Sequence, residues 1–342
     1  MIRAFQNIDT PISIININQP WLRKENKEFS FMFTKHNKYK INLICINADQ
    51  VENVINNQLI NNDFKNKYNI GYWYWESNIF PKQYKKAFEY FDEIWVASKY
   101  VKKSIEKVSP VPVFIIPPAF SEIDTSFIES FDFNKYQIKI DSNDYVFLNL
   151  FDSASFWQRK NPFVLIKAFN KAFEKKADVK LIIKTTEIKR SKIYPKLLSE
   201  IKNNKNIIFL DKYLSRNEII QLENRADCYI SLHRSEGLGI PLIESMMLKK
   251  PVIATGFGGN MDFMNSNSAF LVKYDVEKLK SSIGPYPKNT SWAVPSIDHA
   301  ASIMKSVYEK RSMADIVGEK GYLKIAELYY PEKISKLITT HL

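Results

Sequence analysis

A chain of 342 residues with a formal charge of +12, 45% hydrophobic and 25% charged side chains is long enough for two domains and has the balance of an ordinary globular protein. Its two cysteines exclude a disulfide scaffold and a cysteine-based metal site, and no 18-residue apolar run is present to form a spanning helix. The basic excess is spread over stretches such as KKAFEYF, VKKSIEK and FEKKADVK rather than gathered into an arginine-rich tract. It suits an anionic small molecule or an anionic membrane face, and argues against nucleic acid as a partner.

In chain order, short β-rich runs alternate with amphipathic segments, which is the pattern of α/β layers. The start, MIRAFQNIDT, has no apolar leader core, so a cytoplasmic protein is expected. Pro11–Asn18, Lys40–Asn47 and Tyr68–Glu76 read as strands. Pro81 opens a helix through KQYKKAFEYF. Glu93–Ser98 is a strand, Lys99–Val108 a helix, and Val111–Ala119 a strand stopped by Pro117 and Pro118. Residues 126–144 are less periodic and read as a bridge.

A second α/β unit follows. Its expected strands are Tyr145–Phe151, Val179–Thr185, Asn206–Asp211, Cys228–His233, Pro251–Thr255 and Phe270–Lys273. Its expected helices are Pro162–Lys175, Tyr194–Lys202, Arg216–Arg225, Leu242–Leu248, Asp298–Tyr308 and Glu319–Leu328. Cys45 and Cys228 sit in apolar strand-like runs and read as buried thiols.

Four constellations carry chemistry. The run SLHRSEGLGIPLIES ends a strand at Leu232 and continues through His233, Arg234 and Glu236 to a turn at Gly237, Leu238 and Gly239. Pro241 then fits the first turn of a helix that carries Glu244. Glu236 would overhang the carboxyl end of a parallel strand, where open α/β sheets bind ligands. Glu244 could accept hydrogen bonds from a ribose diol, and the helix N-terminus would face phosphate. In FDSASFWQRKNP, a strand-end loop with Ser153 precedes Arg159 and Lys160, a guanidinium fork and a point charge suited to clamping a diphosphate.

The loop TGFGGNMDF offers Gly258, Gly259 and Asn260 after another strand. In GYWYWE, alternation puts Trp73 and Trp75 on one strand face and Tyr72 and Tyr74 on the other, so Trp75 and Glu76 are candidates for an acceptor-side surface. There is no GxGxxG and no GxxxxGK[ST], which disfavours a dehydrogenase or a P-loop kinase. Asp152, Asp211 and Asp262 make no convincing metal set. His36, His299 and His341 have no partner pattern and receive no role.

Together these motifs resemble the retaining GT-B glycosyltransferases of family 4 (glycosyl transferases group 1), the group related to glycogen synthase and sucrose synthase, and in particular bacterial enzymes of O-antigen, capsule and lipopolysaccharide synthesis. The resemblance implies two Rossmann-like domains facing an interdomain cleft. The N-terminal, acceptor-side domain would span residues 1–135 and the nucleotide-sugar domain residues 145–321. Residues 322–342 would form a helix returning to the first domain. In the family's glutamate–seven residues–glutamate pattern, the first position falls on Glu236, which would approach the donor sugar. The second falls on Glu244, which would bind ribose. Arg159 and Lys160 fall on the basic phosphate clamp, and His233, Arg234, Gly258, Gly259 and Asn260 on donor-binding segments. SWAVPSIDHAA also looks like this subgroup.

The resemblance further implies transfer of a hexose from a nucleotide diphosphate-sugar, GDP-mannose or a UDP-hexose, to a saccharide acceptor that is lipid-linked. No metal or other cofactor is expected. Location would be cytoplasmic, peripheral on the inner membrane face, and a homo-oligomer or a partner chain stays open. One departure stands out: the family's first strand and glycine-rich loop have no counterpart before Pro11. It keeps alive a nucleotide-sugar-binding subunit that needs a partner chain. A GT-B epimerase or phosphorylase is the rival enzyme class.

Overall fold

The computed structural model describes residues 1–17, 28–57, 64–153, 155–174, 176–201 and 204–342. They divide into two compact units. The first comprises Met1–Ser121, Lys280–Thr290 and Tyr329–Leu342; the second comprises Glu122–Leu279 and Ser291–Leu328. Residues 126–144 therefore group with the second unit, and residues 280–290 with the first.

In the first unit, β1 (Ile41–Ile44), β2 (Tyr68–Trp73), β3 (Glu93–Val96) and β4 (Val113–Ile115) form a parallel sheet in sequential order. A parallel sheet is covered on both faces, which is why Tyr72 and Trp73 are both buried although they point to opposite sides. Trp73 lies 4.9 Å from Phe88 and 5.6 Å from Phe91. Lys82–Tyr90 is a 3₁₀ helix rather than the expected α-helix. Its three-residue turn aligns residues three apart, so Phe88 and, just past the helix end, Phe91 both reach the same indole. Helix α2 (Ala48–Asn57) follows β1, and Ser98 caps α3 (Lys99–Ile105) by accepting a bond from the Val101 N–H.

The expected strand Pro11–Asn18 does not form. Of its described residues, only Ile14 pairs, in a single bridge to Phe33, and Asn18 lies outside the described residues. A cavity of about 930 Å³ runs along β1, lined by Ile12, Ile14, Leu43, Trp95 and Leu342 among others. Cys45 lines this cavity and is exposed, which corrects the expectation of a buried thiol: it follows the last residue of the outermost strand, where no neighbouring strand covers it among the described residues.

The last helix, α11 (Pro331–His341), packs in the first unit against α1 (Ile2–Gln6). Its anchor is polar. Glu93 is buried and accepts from Trp95 Nε1 at 2.6 Å and from Tyr68 Oη at 3.0 Å, and it pairs with His341 Nε2 at 2.9 Å.

In the second unit, β5 (Tyr145–Leu150), β6 (Val179–Thr185), β7 (Ile207–Asp211), β8 (Cys228–Ser231), β9 (Val252–Thr255) and β10 (Phe270–Val272) form a parallel sheet in the order β10-β9-β8-β5-β6-β7. The order reverses at β5, which pairs with β6 on one side and β8 on the other. Helix α5 (Pro162–Phe173) buries Leu165, Ile166, Phe169 and Phe173 against this sheet, one apolar stripe at helical spacing, and α6 (Tyr194–Ile201) and α9 (Ile297–Glu309) pack beside it.

Two elements differ from expectation. Helix α10 runs over Arg311–Tyr329, starting eight residues before the expected Glu319. The reason is Gly318, a helix weakener in isolation: a Cβ there would lie 2.2 Å from the Lys249 carbonyl, so glycine lets the helix press on that backbone. Strands β11 (Tyr274–Lys278) and β12 (Ser291–Pro295) form an antiparallel hairpin that no sequence pattern announced. Its stem belongs to the second unit, while residues 280–290 between the strands belong to the first. No helix among the described residues is long and apolar enough to cross a membrane.

Candidate functional site

The reversal point of the second sheet brings two distant sequence motifs together. The loop after β5 leads to α4 (Trp157–Lys160), and the loop after β8 leads to α8 (Ile240–Met247). Both loops leave the carboxyl ends of adjacent strands, the position where open α/β sheets bind ligands. Backbone and side-chain bonds fix the two loops to one another. Arg234 N–H donates to the Arg159 carbonyl at 2.8 Å, and Asn161 Nδ2 donates to the Leu232 carbonyl at 2.9 Å. Asn161 takes the left-handed conformation (φ 59°), which ends α4 and lets Pro162 open α5.

At the centre is Glu236. Its Oε2 accepts from Lys160 Nζ at 2.6 Å and from Arg159 Nη1 at 3.2 Å. Arg159 is only 3% exposed and also donates to the Ser235 carbonyl at 3.0 Å and the Ser155 hydroxyl at 2.8 Å. Burial pushes the Glu236 carboxyl up, but Lys160 and Arg159 outweigh it and hold it well below the usual carboxylate range. Two cations meet one carboxylate, so the cluster keeps a positive excess, and the Lys160 side chain, 17% exposed, presents it.

The glycine loop acts on the backbone of Glu236. Gly259 N–H donates to the Glu236 carbonyl at 2.7 Å. Gly258 sits at φ 114°, and a Cβ there would lie 2.6 Å from that same carbonyl oxygen. Asn260 is fully buried and donates to the Thr255 carbonyl at 3.0 Å, which closes the loop on β9. His233 is also fully buried. Its Nε2 faces the Phe257 carbonyl at 3.0 Å and must carry the proton, while Nδ1 accepts from the Ser231 hydroxyl at 3.1 Å. Burial lowers its pKa to about 4, so the ring is neutral and pins the loop.

Gly239 caps α8 at φ 94°, with Leu238 buried beside it, and the Gly237 N–H lies 3.3 Å from Glu236 Oε1. Glu244 pairs with Arg216 at 2.7 Å. Arg234 stacks over the Trp292 ring at 5.0 Å, donates to the Ala293 carbonyl at 3.1 Å and pairs with Glu277. Ser153 donates to the Thr186 carbonyl.

Trp75 and Glu76 belong to the first unit. Trp75 is nearly buried among Phe80, Tyr84 and Tyr286, and the Tyr286 hydroxyl donates to Glu76 at 3.1 Å. Tyr286 comes from the 280–290 segment, so these two candidates hold that segment within the unit.

Sequence reasoning missed Arg216, Glu277 and Trp292. Arg216 left a readable signal: it is the first residue of α7 (Arg216–Arg225), where the helix dipole disfavours a cation unless a carboxylate answers it. Trp292 lies in SWAVPSIDHAA, noted only as a likeness, and Glu277 left no signal because the pairing of the two strands was not recognised.

The two parallel sheets are Rossmann-like, and the fold is that of the GT-B glycosyltransferases. Residues 130–286 match the family described as Glycosyl transferases group 1. Among solved structures, a mutant of S. aureus TarM in complex with fondaparinux, alpha-GlcNAc-glycerol and UDP is similar at 17% identity and TM-score 0.60, covering 88% of this chain and 54% of that one. Sucrose-phosphate synthase from Thermosynechococcus elongatus is similar at 14% identity and TM-score 0.61, with 89% and 73% covered. Anabaena HepE in complex with UDP-glucose is similar at 14% identity and TM-score 0.59, with 80% and 72% covered. The chain thus spans about half the length of TarM. None of the curated proteins compared matches it in sequence.

Proposed function

We propose that the chain transfers a hexose from a nucleotide diphosphate-sugar to a saccharide acceptor, with retention of anomeric configuration, in the synthesis of a surface polysaccharide. The observation that carries this reading is the Glu236–Arg159–Lys160 cluster at the reversal point of the second sheet, next to the start of α8. A leaving diphosphate gains charge as the bond to the anomeric carbon breaks. Lys160, backed by Arg159 and the α8 N-terminus, supplies preorganised positive charge for it. Glu236 is anionic throughout the working pH range; it keeps the two cations in place and faces the sugar. Glu244 and Arg216 offer an acceptor and donors for the ribose diol. In this reading the acceptor is lipid-linked, and the charge of +12 supports contact with an anionic bilayer.

UDP in the TarM and HepE complexes motivates testing UDP-sugars alongside GDP-mannose. The test is release of nucleoside diphosphate from a donor panel, with product anomers read by NMR. Turnover of one donor with retained configuration supports the reading. Release with inversion removes retention. Nucleotide binding with no turnover, alone or with any acceptor, favours a binding subunit that needs a partner chain. Cosedimentation with phosphatidylglycerol vesicles checks the membrane contact, and absence of binding at low salt contradicts it.

A further inference from the structure

One carboxyl beside Glu244 has no part in the site as described so far. Glu223 lies on α7, seven residues after Arg216, and is 1% exposed. Neither of its carboxyl oxygens has a hydrogen-bond partner among the described residues, and the buried Ser245 hydroxyl adjoins it without completing a bond. The charge of Glu244 on α8 bears on it, and its own bears on Tyr229 of β8, whose hydroxyl donates to the Leu150 carbonyl at 3.4 Å. The cation that bears on both carboxyls is Arg216, and its guanidinium is already bonded to Glu244.

Glu223 is buried and Glu244 only half-buried, and one guanidinium that already holds Glu244 does not compensate a second charge in the interior. A second buried anion without a cation or donor costs several kcal/mol, so one of the pair keeps its proton. Glu244 has the direct bond to Arg216, which leaves the proton to Glu223. Burial, and then the charge of Glu244, hold the Glu223 carboxyl well above its ordinary range.

We propose that Glu223 is a positioning residue for Glu244: as a neutral acid it leaves Arg216 to Glu244, and as a carboxylate it would repel Glu244, compete for that guanidinium and withdraw both from a vicinal diol such as a nucleoside ribose. The proposal rests on the reading of Glu244 as the ribose ligand. Nucleotide affinity therefore falls on the alkaline side as Glu223 loses its proton. Stability follows the same group. Its folded pKa is raised, so its contribution is fully present below the unfolded carboxyl value and is lost as pH rises through the folded one.

The experiment compares wild type with E223Q, which keeps the shape and cannot ionise, and with E223L as a second variant. Calorimetric titrations with UDP and GDP, and thermal melts without nucleotide, are run at about pH 5, about pH 7 and about pH 9. The ratio of wild-type to variant affinity, which cancels the titration of the nucleotide itself, is expected to fall at least about threefold from the lowest to the highest pH as Glu223 loses its proton. The Tm of E223Q should exceed that of wild type at the highest pH and match it at the lowest. Nucleotide binding with the same pH profile in all three proteins overturns the role of Glu223 and leaves the donor reading standing. No nucleotide binding at any pH overturns the donor reading, and the melts then decide on their own whether Glu223 is neutral.

Discussion

The two sheets keep their polar networks at opposite strand ends. In the first unit, Glu93, Tyr68, Trp95 and His341 meet where β2 and β3 begin, and the network fastens a helix. In the second unit, Glu236, Arg159 and Lys160 meet beyond the carboxyl ends of β5 and β8. The first sheet runs in sequential order, whereas the second reverses at β5. Reversal sends two loops out of neighbouring strands in different directions and leaves a crevice between them. Buried charge beside a crevice can serve a ligand; buried charge at the closed end serves the fold.

Breaking Glu236 separates these roles most sharply. E236A leaves Arg159 buried without its carboxylate, which should destabilise the second unit by about 3 kcal/mol and abolish donor turnover. Urea unfolding monitored alongside a turnover assay checks both. G258A comes next. The added Cβ meets the Glu236 carbonyl at φ 114°, and the expected loss is about 2 kcal/mol in the same unfolding assay.

His233 gives a pH signature. Its folded pKa of about 4 lies below the unfolded value, so the unfolded chain binds the extra proton first. Stability is full above about pH 6.5 and should fall by up to about 3 kcal/mol as pH drops through 4. H233Q should flatten this limb of the pH–stability curve. The smallest effect is at the other network. H341A removes one bond from Glu93, which keeps Trp95 and Tyr68, and should cost about 1 kcal/mol with donor turnover unchanged. A loss of turnover in H341A would erase the contrast between the two networks.

The sequence carried the fold further than the site. Every strand of both parallel sheets lies in an apolar run that its composition makes visible, such as VKLIIKT for β6. The start of α10 stayed hidden because Gly318 lowers helix propensity for a reason that exists only in the packed structure, its approach to Lys249. Hairpin β11–β12 stayed hidden because β11 is exposed along its length and pairs with the more buried β12 only across a long excursion. At the site, the loops holding Glu236 and the Arg159–Lys160 pair were legible from glycine, proline and charge. Their ion pairing was not, because it depends on β5 and β8 being neighbours. Glu223 was illegible for a similar reason. In the polar helix RNEIIQLENR it looks like a solvated side chain, and only the fold turns it inward.

The most direct test of the account is a calorimetric titration of wild type and E244A with UDP and GDP at neutral pH. The account predicts micromolar binding of one nucleotide to the wild type and a loss of at least about tenfold in E244A, with its unfolding midpoint little changed. Equal affinity in the two proteins, or no binding of either nucleotide to the wild type, would contradict it.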